Sequence, residues 1–206
     1  MPKRVDHEAV RQEIAEALWR IASQRGLDGA SLREVAHEAG ISLGRLQHYF
    51  ASKDDMLVFA SNHISELADR QIRARLAGAF PDRPPTPYEL LRVCLRGMLP
   101  LDDNTRTGIL VQIAYFSRAV RDARMREPAR KGIPPLLTWF AELLRTAVDR
   151  GEIAADRDLG AEAMLLLALT DGLTTYTLLD VHEAERAAEL VDYHLGRLFQ
   201  GRADTH

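Results

Sequence analysis

A chain of 206 residues with 46% apolar and 28% charged residues suits one or two folded domains, and it is too apolar for a disordered protein. The longest apolar run, Ala163–Leu169, is far short of the roughly 18 residues that span a bilayer, the Met1-Pro2-Lys3-Arg4 start lacks a secretion-signal core, and a lone Cys94 excludes an intrachain disulfide or a thiolate zinc cluster, so a cytoplasmic protein without membrane role is expected. The net charge of -3 argues against nucleic acid in bulk, but residues 1–53 carry 8 basic and 7 acidic groups, net +1 against -4 for the remainder, and that head permits a localised DNA contact.

Hydrophobic periodicity is helical along the chain, and no strand is expected. Asp6 is placed to cap a first helix, with Glu8 in the turn where the macrodipole favours acid. Val10, Ile14, Leu18 and Ile21 then recur on one face, and Gly26 is a natural stop. After Leu27-Asp28-Gly29-Ala30, the run Ser31-Leu32-Arg33-Glu34 reads as a capping box. Leu32, Val35, Ala36 and Ala39 give this short second helix its apolar face, and Gly40 ends it. Ser42 caps a third helix of similar length, with Ile41, Leu46 and Phe50 as its buried residues. Ser52 starts a long fourth helix running to about Leu76, and Pro81, Pro84, Pro85 and Pro87 break it. Thr86-Pro87 opens a fifth helix, cap plus proline at the first position. A sixth spans roughly Thr105 to Val120. Pro128, Pro134 and Pro135 are expected to interrupt the next stretch of chain, which places a seventh helix from near Pro134 to Gly151. Asp158 caps an eighth, to about Leu179, and a ninth runs from about Glu183 to Phe199.

Helix, Gly40 turn, helix is the layout of a helix-turn-helix, whose second helix enters the DNA major groove. Arg45, Gln47, His48 and Tyr49 put donors on a helix that is short for a core element. Arginine and glutamine are the side chains that read guanine and adenine edges with two hydrogen bonds. The plainer alternative is a solvated polar face.

Gly29–Ala36, Ala39-Gly40-Ile41-Ser42, Gly44–Phe50 and Ser52-Lys53-Asp54-Asp55-Met56-Leu57 together resemble the N-terminal domain of the tetracycline-repressor (TetR) family. The match covers about the first 60 residues; beyond them the chain is similar only in plan. The resemblance implies an all-α fold of about nine helices. A helix-turn-helix DNA-binding domain would occupy residues 1–53, and a helical ligand-binding and dimerisation domain residues 54–206. It implies that Ser31 and Ser42 aim helix N-termini at phosphate, that Leu43, Arg45, Gln47 and His48 face the groove, and that Tyr49 and Lys53 reach phosphates. A lysine opening the fourth helix opposes the macrodipole, so another gain must retain it. Gln47 and His48 stand where the family often has two aromatics, so the bases read would differ. Lys3 and Arg4 are either a DNA-touching arm or a solvated tail.

The same resemblance implies a small-molecule effector among the middle helices. Candidates are polar or aromatic residues within apolar stretches: Met98, Gln112, Tyr115, Phe116, Trp139, Phe140 and Thr170, each with plain core packing as the alternative. Gln112 stands out because a buried amide needs a partner, protein or ligand. Few basic residues lie in these stretches, which favours a neutral, hydrophobic or aromatic effector. The eighth helix, from Met164 through Leu173, is apolar nearly all round and is expected to be buried on most sides. The resemblance implies a homodimer formed through Leu166, Leu169 and Gly172 on the eighth helix and Leu190, Val191 and Leu195 on the ninth. Asp171 in that setting needs a donor, with an intrachain bond preferred.

Catalysis is not expected. His37-Glu38 and His182-Glu183 begin a zinc-protease pattern, but Ile41 and Arg186 stand where its second histidine belongs. Cys94 lies on an apolar face, and neither metal nor cofactor is expected. A helical protein-interaction domain is the competing class. It accounts for the apolar C-terminal helices but not for the two capped short helices, the Arg45-Gln47-His48 surface and Lys53 together. The expected function is a ligand-responsive regulator that binds double-stranded operator DNA and is released by the effector.

Overall fold

A computed structural model describes residues 7–25 and 30–199. The expected Asp6 cap, the Gly26 stop, the Leu27-Asp28-Gly29 connection and the Lys3-Arg4 arm lie outside these residues. Within them the chain is all-helical: α1 (His7–Arg25), α2 (Leu32–Glu38), α3 (Leu43–Tyr49), α4 (Lys53–Ala79), α5 (Pro87–Gly97), α6 (Asp103–Ala119), α7 (Ala123–Asp149), α8 (Leu159–Leu178) and α9 (Ala184–Phe199).

The helices gather into two compact units. The first holds the chain up to Leu67 together with Thr107–Ala129. Its core is built on Ile14, Leu18 and Ile21 of α1, Val35 of α2, Leu46 of α3, Phe50, Met56 and Leu57, closed by Val111 and Tyr115 of α6. Seven-residue helices are too short to persist alone. α2 and α3 hold because Val35, Ala36, Leu46 and Phe50 are withdrawn from water, at about 1.5–3 kcal/mol for each large side chain. Gly40 has φ +67 and nothing within 4 Å of where a Cβ would stand, so the turn's backbone demands glycine, and not the space around it. Gly108 is the reverse case: a Cβ there would sit 3.3 Å from Ile64 Cγ2 and 3.5 Å from Trp19, so α6 passes α1 and α4 at a glycine.

The second unit holds Ala68–Arg106 and the chain from Arg130 on. Leu91, Leu95 and Leu99 meet Phe140 and Leu144 of α7, Ala163, Leu166 and Leu173 of α8, and Ala188, Val191 and Leu195 of α9. Over this core, Arg92 donates from Nε and Nη2 to the two carboxylate oxygens of Asp192 at 2.8 Å each, and Arg96 Nη1 donates to the same group at 3.0 Å, tying α5 to α9. The start of α5 carries a full capping box between Thr86 and Glu89, with Pro87 inside the first turn.

Two expectations are corrected. α7 does not begin near Pro134; it runs from Ala123 through Pro128, Pro134 and Pro135. Each proline removes one hydrogen bond of the ladder and disfavours the helix, yet burial of Met125, Phe140, Leu144 and Ala147 along its length offsets the loss. Second, α8 is not covered on most sides. Met164 and Leu165 are 51% and 56% exposed, and Tyr176 and Leu179 are also open to solvent, because one chain supplies neighbours for only part of this helix.

Candidate nucleic-acid interface and effector site

α3 is two-sided. Leu46 and the C-cap residue Phe50 point into the first core, while Arg45, Gln47 and His48 are exposed and Leu43 and Tyr49 half-buried. The polar residues expected to meet bases thus share the solvent side of a helix pinned through the other. Ser31 Oγ accepts from Glu34 N at 3.2 Å while Glu34 Oε2 accepts from Ser31 N at 2.8 Å; Ser42 Oγ accepts from Arg45 N at 3.2 Å. Both serines are exposed, and each hydroxyl, having accepted, still has its own proton to donate. Arg20 Nε donates to Glu38 at 2.7 Å, which clamps α2 to α1.

Lys53 opens α4, half-buried, next to Asp54 and Asp55. Ser52 Oγ accepts from Asp55 N at 3.0 Å, and Asp54 is ion-paired with Arg118 of α6. The helix that starts at Lys53 is therefore anchored at its first turn to α6. Two residues of this region carry no mark in the sequence pattern. His7 places its ring beside His48 and Tyr49, and Arg11 lays its guanidinium over Phe50 and Phe59. The signal available was a polar face on α1 at four-residue spacing, which in isolation looks like any solvated helix.

The seven effector candidates divide between the units. Gln112, Tyr115 and Phe116 belong to the first; Met98, Trp139, Phe140 and Thr170 belong to the second. The polar ones have partners within the protein. Ser61 Oγ donates to Gln112 Oε1 at 2.8 Å, the buried Tyr115 hydroxyl donates to Met125 O at 2.6 Å, and Thr170 Oγ1 donates to Leu166 O at 2.9 Å. Phe140 is fully buried in the second core with its ring 5.6 Å from that of Trp139. Met98, Trp139 and Phe116 are only partly buried and keep some apolar surface exposed. Sequence pattern gave no reason to single out Ser61 or Thr174, a buried hydroxyl that donates to Met98 O at 3.3 Å.

The expected dimer residues also divide. Leu166, Val191 and Leu195 are 1%, 1% and 0% exposed within their own chain, so they are core and have no surface to offer a second copy. Leu169, Gly172 and Leu190 remain half-buried. The surface that α8 leaves open is carried by Met164, Leu165, Ala168, Thr175, Tyr176 and Leu179, at helical spacing of three and four, with Tyr193 exposed on α9. Gly172 lies within this stripe, with nothing within 4 Å of a Cβ. Asp171 at its edge makes no side-chain bond among the described residues, against the preferred intrachain partner. The residue is exposed as a whole, yet neighbouring bulk removes enough water to push its carboxyl above the ordinary range.

Cys94 is buried, and that burial pushes its thiol up to about 12, so it stays a protonated core residue. Among the described residues, no three His, Cys, Asp or Glu side chains come together as a metal site, and no helix is long and apolar enough to cross a membrane.

Comparison with known proteins bears on the same two regions. Residues 14–58 match the family described as bacterial regulatory proteins, tetR family, and residues 87–200 match the C-terminal domain of BetI-type transcriptional repressors. The chain is 34% identical over 180 residues to the HTH-type transcriptional regulator PksA of Bacillus subtilis, covering 87% of this chain and 84% of that protein. A transcriptional regulator from Rhodococcus sp. Rha1 superposes with TM-score 0.76 at 30% identity, over 93% of this chain and 96% of that one. The multidrug binding protein EbrR, solved in complex with ethidium, superposes with TM-score 0.65 at 28% identity, over 92% of this chain and 98% of its own.

Proposed function

The chain belongs to the TetR family, a DNA-binding and ligand-responsive class of transcriptional regulators, and from that premise we propose that it works in the cytoplasm as a homodimeric repressor. Residues 1–53 act as its DNA-reading domain, and residues 54–206 as its effector and dimerisation domain. Arg45 and Gln47 read base edges, with Leu43 beside them and His48 facing the groove at its phosphate wall. Ser31, Ser42, Tyr49 and Lys53 hold phosphates and so fix the register of α3. The observation that carries this reading is the two-sided α3, held by Leu46 and Phe50 and presenting Arg45, Gln47 and His48 to solvent.

The open stripe on α8 supports the dimer. Two copies related by a twofold axis would cover Met164, Leu165 and Tyr176 with one another and present two α3 helices to successive major grooves, roughly 34–36 Å apart. A hydrophobic or aromatic effector is held by Met98 and Trp139 of the second unit, side chains that keep exposed apolar surface. The ethidium complex of EbrR supports a flat aromatic molecule of this kind. Such a ligand releases DNA only by as much as it prefers the non-binding conformation.

The test has two stages. Duplexes selected by the full-length protein from a random pool should contain an inverted repeat with half-sites about one helical turn apart. Ethidium should bind the DNA-free protein, read by its fluorescence, and neutral aromatic compounds that do not intercalate should lower DNA affinity when titrated into the operator complex. Selection of no common sequence would sink the DNA-reading role. A free protein that does not bind ethidium, together with operator affinity indifferent to a panel of neutral, non-intercalating aromatic compounds, would sink the effector class.

A further inference from the structure

His7 is the first residue of α1, outside the helix-turn-helix, yet its ring lies at the end of α3. Its centroid is 6.0 Å from that of His48 and 5.4 Å from that of Tyr49, and His48 and Tyr49 are themselves 5.5 Å apart. Both imidazoles are exposed. The placement is fixed from behind. One turn along α1, the Arg11 guanidinium sits 4.3 Å from the centre of the Phe59 ring on α4 and 5.0 Å from that of Phe50. A cation stacked on two rings holds α1 to the junction of α3 and α4, and so holds His7 beside the two α3 residues.

The charged and titratable groups within a turn of the pair are Glu8 and Arg11 on α1 and Arg45 and Tyr49 on α3, and of these Arg11 is stacked on Phe50 and Phe59. No ion pair joins a carboxylate to either imidazole among the described residues. A positive charge on His7 opposes the dipole of α1 at its N-terminus, so the ring gains most from a proton when an anion stands before it. Phosphate is the anion that the surface of α3 is shaped to meet, and histidine is the side chain that gains charge between pH 8 and pH 5.

We propose that His7 is a DNA-contacting residue supplied by α1, and that with His48 it forms a proton-responsive phosphate contact which tightens DNA binding as pH falls. This rests on the DNA-reading role of α3. It adds a residue that the helix-turn-helix does not contain and a pH dependence that Arg45 and Lys53 cannot supply.

Phosphate contacts ignore sequence, so the test needs no operator. A fluorescein-labelled duplex of about 30 mixed-sequence base pairs, long enough for the turn-spaced α3 helices of a dimer, is titrated with the full-length protein over a NaCl series at pH 8 and pH 6. Each phosphate newly neutralised steepens the plot of log affinity against log salt by about 0.9. The wild type should therefore steepen by about 1–2 per DNA-reading unit at pH 6. His7→Gln should lose about half of that change, and the double variant His7→Gln/His48→Gln all of it. Thermal melting checks that the variants fold. Independently of any variant, the His7 ring resonance of the wild type should move on addition of the duplex. A pH change in slope that survives intact in folded His7→Gln, a slope that never changes with pH, or a His7 resonance that DNA leaves unmoved would each overturn the proposal while the DNA-reading role stands. Failure to bind any duplex at either pH would overturn both.

Discussion

Removing the amide of Gln112 separates a structural group from a ligand contact. Ser61 is 4% exposed, and its hydroxyl donates to Gln112 Oε1 at 2.8 Å, across 51 residues of chain, from α4 to α6. Gln112→Leu withdraws the acceptor and leaves a buried hydroxyl unmatched. A lost partner of this kind costs about 1–3 kcal/mol. The hydroxyl can turn to the carbonyl one turn back in α4, which brings the expectation to the low end, about 1 kcal/mol. Ser61→Ala should cost less, about 0.5–1 kcal/mol, because the half-buried Gln112 amide can reach water instead. The double variant should then be less destabilised than the two singles summed, by about 0.5–1.5 kcal/mol, because the pair is removed together. Urea unfolding at one fixed protein concentration reads all four proteins, the concentration being held because association shifts apparent stability. Effector release in Gln112→Leu should match the wild type. Strict additivity in the cycle, or a Gln112→Leu protein of unchanged stability that no longer responds to effector, would refute the structural assignment and return Gln112 to the effector site.

Other perturbations probe the same geometry. Arg45→Ala should cost about 1–3 kcal/mol on the selected operator and much less on scrambled DNA, whereas Lys53→Ala should weaken both alike and flatten the salt slope by about one phosphate; gel shifts at several salt concentrations compare them. Met164→Glu or Leu165→Glu puts charge on the open stripe of α8 and should give folded monomers in sedimentation that no longer bind operator, while Leu195→Glu, placed in the core, should instead unfold the protein. At the start of α5, the Arg83 guanidinium and the Thr86 backbone hold Glu89 well below the usual carboxylate range, at about 2 against an ordinary 4.5. Because the folded value is the lower one, this stabilisation is present in full above about pH 4.5 and is lost as pH falls from there toward 2. Glu89→Gln should therefore flatten the acid limb of the urea midpoint between pH 5 and about pH 3.

What could be read directly from the sequence was local. The Ser31–Glu34 box, the Ser42 cap and the left-handed Gly40 are each set within one turn of chain, and all three appear in the structure as their residue types require. They place Arg45, Gln47 and His48 because a seven-residue helix that buries Leu46 must turn the rest outward. Tertiary structure decided the remainder. Prolines in α7 signal a break to any local rule, and only the burial of Phe140 and Leu144 in the second core shows why the helix continues. On α8 the pattern is apolar all round, so spacing cannot distinguish Leu166, which faces its own core, from Met164 and Leu165, which face outward; the positions of α5 and α9 make that choice. Gln112 announced that it needed a partner, but the identity of that partner depended on which turn of α4 lies against α6. Caps and turns are legible because their energy lies among neighbours in sequence, whereas the choice of buried face belongs to contacts that exist only once the chain has packed.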